Sequence, residues 1–297
     1  MSPKWFQIPA LIGLLLSSLS PALALRLPKY RGLKTAQNGS VLTITLHNPD
    51  SAINLWGVDF QDGVTDIVKR LQVDKETKVV IFKSDVPRFF SAHLDLLMPG
   101  IETVGDKFSG LMWNITNLPQ VTIGAVEGRA RGAGNELLMA LDMRFATKCE
   151  TLLGQIEVGT GLIPGGGGSQ HLPRLIGRGL AMEYILSGKD INAENAEKIG
   201  WINKAFDTSG EMYAYIDELT SRLRLFPRGA LSAAKDSINL SVRPPRDNFL
   251  QDSASFTRRL ADPVVQQLVG RALALSNNLT LGELELNLGR DLPLLYN

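Results

Sequence analysis

The chain of 297 residues is poor in the residues that most often announce a chemistry. It has one cysteine, Cys149, so no intramolecular disulfide can form. A catalytic thiol would want a base and an electropositive site, whereas the setting of this cysteine, ATKCE just after an apolar run, reads as a small structural residue. Histidine is equally scarce: His47, His93 and His171 lack the spacing of a metal-ligand set. There is no excess of charge, since 31 Lys and Arg stand against 30 Asp and Glu, and no long basic run. Nothing therefore calls for nucleic acid or an acidic membrane surface as a partner. HExxH, GxxxxGK before Ser or Thr, and GxGxxG are all absent, and PGGGGSQH misses GxSxG because His171 stands where the last glycine belongs. What remains is an ordinary globular composition, long enough to bury a real core as one large domain or two smaller ones.

The N-terminus carries a targeting pattern. Lys4 precedes the apolar stretch IPALIGLLLSSLS, followed by Pro21 and Ala22-Leu23-Ala24. A basic start, a short apolar segment and small residues at −3 and −1 read as a secretory signal peptide over 1–24, cut after Ala24. The stretch is shorter than the roughly 20 apolar residues of a membrane span. The expectation is a secretory-pathway or extracellular protein with no stable membrane span after cleavage, or an intracellular one if this N-terminus is not a working signal. Sequons at Asn38, Asn114, Asn239 and Asn278 fit the secretory route, with Asn114 on an expected helix; the C-terminal LLYN is no retention or peroxisomal signal.

Beyond the signal, RLPKYRGLKTAQNGS is polar and extended, and VLTITL (41–46) alternates as a strand. Phe60, Val64, Ile67, Val68 and Leu71 recur at helical spacing. VVIF (79–82), VTIGAV (121–126), MRFAT (143–147) and WINKAF (201–206) read as strands, and 101–117 as an amphipathic helix ending at Leu118-Pro119. AMEYILSG and AENAEKIG are short helices with glycine stops, and from about Tyr213 the pattern is helical. Strands alternating with helices argue an α/β fold with a helical appendix.

The most informative stretch is AVEGRARGAGNELLMALD (125–142). A strand entering a Gly/Ala turn and then a helix aims free N–H groups at one point, where developing negative charge is stabilised. Glu136 falls in the first turn of that helix, a position that also suits an acidic residue for purely structural reasons. At these residues the chain resembles the enoyl-CoA hydratase/isomerase (crotonase) superfamily. FFSAHLDL (89–96) is similar to its first oxyanion loop, the 125–147 segment to its signature, and LLGQIEVGTGLIPGGGGSQHLPRLIG (152–177) to its second-acid segment. LAMEYILSGKDINAENAEKIGWINKAF is similar to the stretch that comes next in the family, so the likeness runs in family order over roughly 40–240.

The resemblance implies stacked ββα turns (a ClpP/crotonase-like fold) over residues 25–225, a C-terminal helical region over 226–297, and trimers or hexamers. It implies an acyl-CoA or other small carbonyl substrate, no metal, and no cofactor beyond coenzyme A as part of the substrate. It places the oxyanion donors at Leu94 and Ala133, the acid/base carboxylates at Glu136 and Glu157, and substrate-binding positions at Ala92, His93, Asp95, Arg131, Gly132 and Gly134. Two carboxylates favour hydratase (lyase) chemistry over a double-bond isomerase, which can work with one. A non-catalytic binding protein would instead keep the two glutamates apart or in ion pairs away from any pocket.

The chain departs from the family pattern in several places. His93-Leu94 replaces Gly-Ala, and Ala133 stands for Gly, which requires a backbone compatible with a Cβ. Cations that would match CoA phosphates are missing near Asp50-Ser51 and Leu96-Leu97, leaving Arg258, Arg259 and Arg271 as candidates. Arg129 and Arg131 flank the signature turn, either toward an anionic substrate group or in structural ion pairs. These departures allow a second expectation, a crotonase-fold enzyme acting on a carbonyl compound without CoA.

Overall fold

A computed structural model describes residues 25–277 and 280–297; the signal-peptide segment and the Asn278 sequon lie outside the described residues. The strands are β1 Leu33–Asn38, β2 Val41–Leu46, β3 Val79–Ser84, β4 Phe89–Ser91, β5 Val121–Val126, β6 Arg129–Arg131, β7 Met143–Thr147, β8 Leu152–Gly154, β9 Ile191–Asn192 and β10 Lys204–Phe206. The helices are α1 Val58–Val73, α2 Ile101–Thr116, α3 Ala133–Ala140, α4 Gly168–Ile176, α5 Arg178–Ser187, α6 Ala193–Ile199, α7 Ser209–Leu225, α8 Arg228–Asn239, α9 Arg246–Leu260, α10 Pro263–Leu275, α11 Glu283–Leu286 and α12 Leu288–Asp291.

Two sheets share the chain. One runs β1-β2-β3-β5-β7-β10, parallel except for the β1–β2 hairpin, and the other runs β4-β6-β8-β9. Each of the pairs β3/β4, β5/β6 and β7/β8 gives one strand to each sheet and then leads to a helix. This repeat is the stacked ββα architecture expected of the fold. VTIGAV is buried at all six positions because β5 lies between parallel neighbours with both faces covered. The helix-spaced residues Phe60, Val64, Ile67, Val68 and Leu71 are the buried face of α1, and Trp56 packs edge-on against Phe60 and Phe108 in the same core.

Two expected elements differ. The polar stretch before Val41 is a full strand, β1, paired along its length with β2 across a tight turn at Gly39, whose φ of 58° suits glycine. It is an edge strand whose inward positions after Leu33 are the half-buried, polar Thr35 and Gln37, so it shows no apolar alternation. In WINKAF only Lys204–Phe206 is strand; Trp201 instead packs under α5, 5.3 Å edge-on from Tyr184. Cys149 is exposed in the turn after β7, and Asn114 is half-buried on α2. No helix among the described residues is long and apolar enough to cross a membrane.

From Arg228 onward the described chain is helical, and it returns to the core. α9 packs on α2, and Lys235 of α8 reaches Asp142 at 2.7 Å, which in turn accepts from the Thr122 N–H and hydroxyl at the start of β5. Asp142 of the signature segment thus fastens β5 to the C-terminal helices.

Candidate active site

The ends of β4, β6 and β8 open onto one cavity of about 90 Å³. Its walls are mostly apolar, including Leu96, Phe108, Ile156, Leu162 and Phe256, and its roof comes from the C-terminal helices through Val269, Leu273, Leu284 and Leu288. The charged or titratable residues on it are His93, Glu136, Glu157 and Glu285, and no Lys or Arg among the described residues lines it.

The first loop leaves β4 and pairs with the segment before α1. Trp56 N–H donates to His93 O at 2.9 Å and Asp95 N–H donates to Trp56 O at 3.0 Å. In a trans peptide the C=O and the following N–H point in opposite directions. Fixing His93 O toward Trp56 therefore turns the Leu94 N–H the other way, and Leu94 lines the cavity with that N–H unbonded among the described residues. The second turn leaves β6 at Gly132, whose φ of 46° and ψ of −120° form the sharp entry to α3. Ala133 is the first helical residue, with an ordinary negative φ, so its Cβ brings no backbone strain and its N–H is one of the free donors of a helix start. Gly134 is needed for close approach: a Cβ there would lie 2.3 Å from Ser91 O, where α3 abuts β4.

Glu136 and Glu157 meet across this turn. Glu136 is 3% exposed and its Oε1 accepts 2.8 Å bonds from the Gly166 and Gly168 N–H groups. The backbone of the PGGGGS segment thus holds the carboxyl of Glu136 in place. Burial pushes Glu136 from 4.5 up to about 7, against the lowering effect of those two bonds and with a further rise from Asp252. Glu157 opens the 3-10 turn Glu157–Thr160 and lies beside Gly132, where a Cβ would come 3.1 Å from its Oε1. Its Oε2 is buried and has no partner among the described residues. Burial and the neighbouring Glu136 charge raise Glu157 well above the usual carboxylate range. The charge on Glu136 thus disfavours ionisation of Glu157, so the two carboxyls are poised to hold different protonation states. The separation expected of a binding protein is not met.

A buried chain of amides orients Glu157. Trp201 Nε1 donates to Asn135 Oδ1 at 3.2 Å, Asn135 Nδ2 donates to Gln155 Oε1 at 2.7 Å, and Gln155 Nε2 reaches Glu157 Oε1 at 3.4 Å. Sequence reasoning missed this relay. Asn135 and Gln155 lie next to the glutamates in the chain, but Trp201 arrives from 66 residues away.

Of the expected substrate-binding positions, His93 and Gly132 line the cavity. Ala92, Asp95 and Gly134 do not: Ala92 is buried with its N–H on Ile53 O, and Asp95 caps the Leu97 N–H. Arg131 requires correction. It is fully buried, forms a two-pronged pair with Asp190 at 2.8 and 2.7 Å, and donates to Glu285 O and Leu286 O. Four of the five N–H donors of its guanidinium are thereby spent on the chain itself, and it does not line the cavity. Arg129 likewise pairs with Glu150 and donates to Leu286 O. The two arginines are struts that hold α11 against β6. Arg259 and Arg271 brace the carbonyls of Gly161 and Leu295. His171 is buried 3.2 Å from the Thr116 hydroxyl, and burial together with Arg144 and Arg174 pushes it to about 3, so it is neutral and structural.

The fold and this paired-carboxyl cavity at a helix start define a crotonase-superfamily protein. The sequence matches the enoyl-CoA hydratase/isomerase family over residues 36–262, and the chain belongs to that family. It is 36% identical over 177 residues to mouse enoyl-CoA hydratase domain-containing protein 2, mitochondrial, a match covering 58% of this chain and 59% of that protein. Among solved structures, a putative enoyl-CoA hydratase from Streptomyces avermitilis superposes with a TM-score of 0.84 at 36% identity, covering 89% of this chain and 97% of that one. An enoyl-CoA hydratase from Mycobacterium avium subsp. paratuberculosis, at 23% identity and a TM-score of 0.74 over 86% of this chain and all of that one, shares the fold.

Proposed function

We propose that the protein is a hydratase/isomerase-type enzyme acting on a small α,β-unsaturated acyl thioester, in which a CoA ester is the substrate class that the family suggests. The observation that carries this reading is the convergence of two buried carboxyls and two unbonded N–H groups on one apolar cavity. The thioester oxygen accepts from Leu94 and Ala133, whose N–H groups take up charge as the carbonyl becomes an enolate. Water attacks C3 as one glutamate removes its proton, and the other glutamate delivers a proton to C2; the reverse sequence dehydrates. Glu136 has a fixed Oε1 and Glu157 a free Oε2, so Glu157 is the group better placed to exchange a proton with substrate or water.

The lack of a Lys or Arg among the lining residues keeps a second reading in play, a carbonyl substrate without the CoA handle. Steady-state hydration of crotonyl-CoA compared with crotonyl-pantetheine decides between them. The first reading expects turnover of crotonyl-CoA that Glu157→Gln lowers at least a hundredfold. Equal kcat/KM for the two thioesters favours the second reading. Turnover of neither, or unchanged turnover in Glu157→Gln, rejects the assignment of these carboxylates.

A further inference from the structure

The oxyanion loop carries a titratable pair that the two-glutamate scheme leaves unused. His93 Nδ1 lies 2.9 Å from Leu94 O, and its Nε2 lies 3.3 Å from Glu285 Oε2, a residue 192 positions further on in α11. Glu285 is buried and His93 half-buried, with side-chain exposures of 2% and 14%. A carbonyl oxygen can only accept, so Nδ1 carries a hydrogen. A proton then lies between Nε2 and the carboxyl, and the pair is electrically neutral as a whole while placing its positive end on the loop that offers the Leu94 N–H. Buried groups of this kind cost stability unless their geometry does something the fold alone would not require.

We propose that His93 and Glu285 form a positioning pair for the reaction: the imidazolium holds the Leu94 carbonyl, one peptide beyond the Leu94 N–H, and adds positive charge beside the carbonyl-binding point. The proposal rests on the reading of Leu94 as an oxyanion donor. Two bonds clamp the loop on either side of that donor. Trp56 holds His93 O, and His93 holds Leu94 O, so the peptide that carries the Leu94 N–H cannot rotate without breaking one of them. The clamp also explains why the C-terminal helix is held so firmly. Arg131 grips Glu285 O and Leu286 O, and Asp190 locks Arg131, so the Glu285 carboxyl is delivered to His93 from a braced segment.

The charges that face His93 come from four elements. Glu285 on α11 favours its protonated form, Arg131 on β6 opposes it but is neutralised by Asp190, and Glu157 lies across Gly132. Glu136 on α3 lines the same cavity, and Asp95 on the same loop is turned to the Leu97 N–H. Burial disfavours the imidazolium; Glu285, with the Leu94 carbonyl, outweighs it and holds His93 above 6.5. A raised base is charged at low pH and loses its charge as pH rises through its own pKa, so the contribution disappears on the alkaline side.

The test combines a direct and a kinetic readout on the full chain. With three histidines in the sequence, long-range proton–nitrogen spectra of 15N-histidine protein separate His93 by comparison with His93→Gln. The expected result is an imidazole that keeps both nitrogens protonated to higher pH than a free imidazole, and that releases its proton about one pH unit or more lower in Glu285→Gln. With crotonyl-CoA, His93→Gln should lower kcat about ten- to a hundredfold with KM within about threefold, and flatten the alkaline fall in rate. A His93 that loses its second proton no later than a free imidazole, or unchanged kcat in His93→Gln, overturns the pair. If His93→Gln fails to fold, the resonances that move in Glu285→Gln identify His93 and decide. Loss of turnover in Glu157→Gln alongside a silent His93→Gln would reject this pair alone, whereas full turnover in both would reject the glutamate reading beneath it.

Discussion

Replacing Glu136 with Gln should remove activity and add stability, and the two effects have one cause. Burial holds the carboxyl near 7 against 4.5 for a free glutamate. An acid whose pKa is raised by folding destabilises the native state wherever it is ionised: the cost is absent below the unfolded value and complete once pH exceeds the folded one. At about 1.4 kcal/mol per pH unit, the interval from 4.5 to about 7 corresponds to roughly 3 kcal/mol at pH 8. Glutamine keeps an Oε1 for the Gly166 and Gly168 N–H groups, so those bonds survive while the charge does not. Its loss also relieves Glu157, which the Glu136 charge raises. Chemical denaturation of both proteins at pH 5 and pH 8, with crotonyl-CoA turnover measured on the same preparations, tests this. The expected result is a gain for Glu136→Gln of below about 1 kcal/mol at pH 5 and of about 3 kcal/mol at pH 8, with turnover reduced at least a hundredfold. An equal stability difference at the two pH values would refute the argument that Glu136 is held in a desolvated state. Full turnover would refute its part in the chemistry.

The same geometry sets other outcomes. Arg131→Met leaves Asp190 buried without its partner and should cost about 3–5 kcal/mol, read by denaturation, with a smaller loss for the double change that also makes Asp190→Leu. An apolar cavity of 90 Å³ is smaller than the roughly 150 Å³ that holds a benzene ring, so a four-carbon enoyl thioester should be turned over at least tenfold faster than an eight-carbon one. Leu284→Ala, which shortens the roof, should narrow that ratio; an unchanged ratio would place the acyl chain elsewhere. If the chain enters the secretory route, the exposed Asn38 at the β1–β2 turn is the site that takes a glycan, because Asn114 is half-buried on a helix whose Thr116 hydroxyl is bonded to Met112 O. Expression in a host with that route and glycosidase treatment should give a mobility shift that Asn38→Gln abolishes, whereas a shift that persists in Asn38→Gln would point to another sequon.

How much of the molecule is legible in the sequence depends on the reach of the interactions involved. The strand VTIGAV, the Gly132-Ala133 turn and Glu136 can be read together because a buried strand, a sharp turn and a helix start are specified within about twenty consecutive residues. β1 is hidden because, after Leu33, even its inward face carries the polar Thr35 and Gln37. Arg131 misleads for a different reason: an arginine beside a signature turn looks like a ligand for an anion, and only the fold brings Asp190 and the α11 carbonyls to it. Glu285 is invisible on the same ground, since ELEL has the pattern of any amphipathic turn and nothing local joins it to His93. Arg131 and Glu285 therefore share one property. They come from the C-terminal helices, or contact them, and their roles exist only once those helices have folded back over the ends of β4, β6 and β8. The two carboxyls lie in segments that resemble the family's. The pocket's roof and the Glu285 carboxyl beside His93 are supplied by long-range contacts that no motif encodes, and it is there that this chain can differ from its relatives in what it binds.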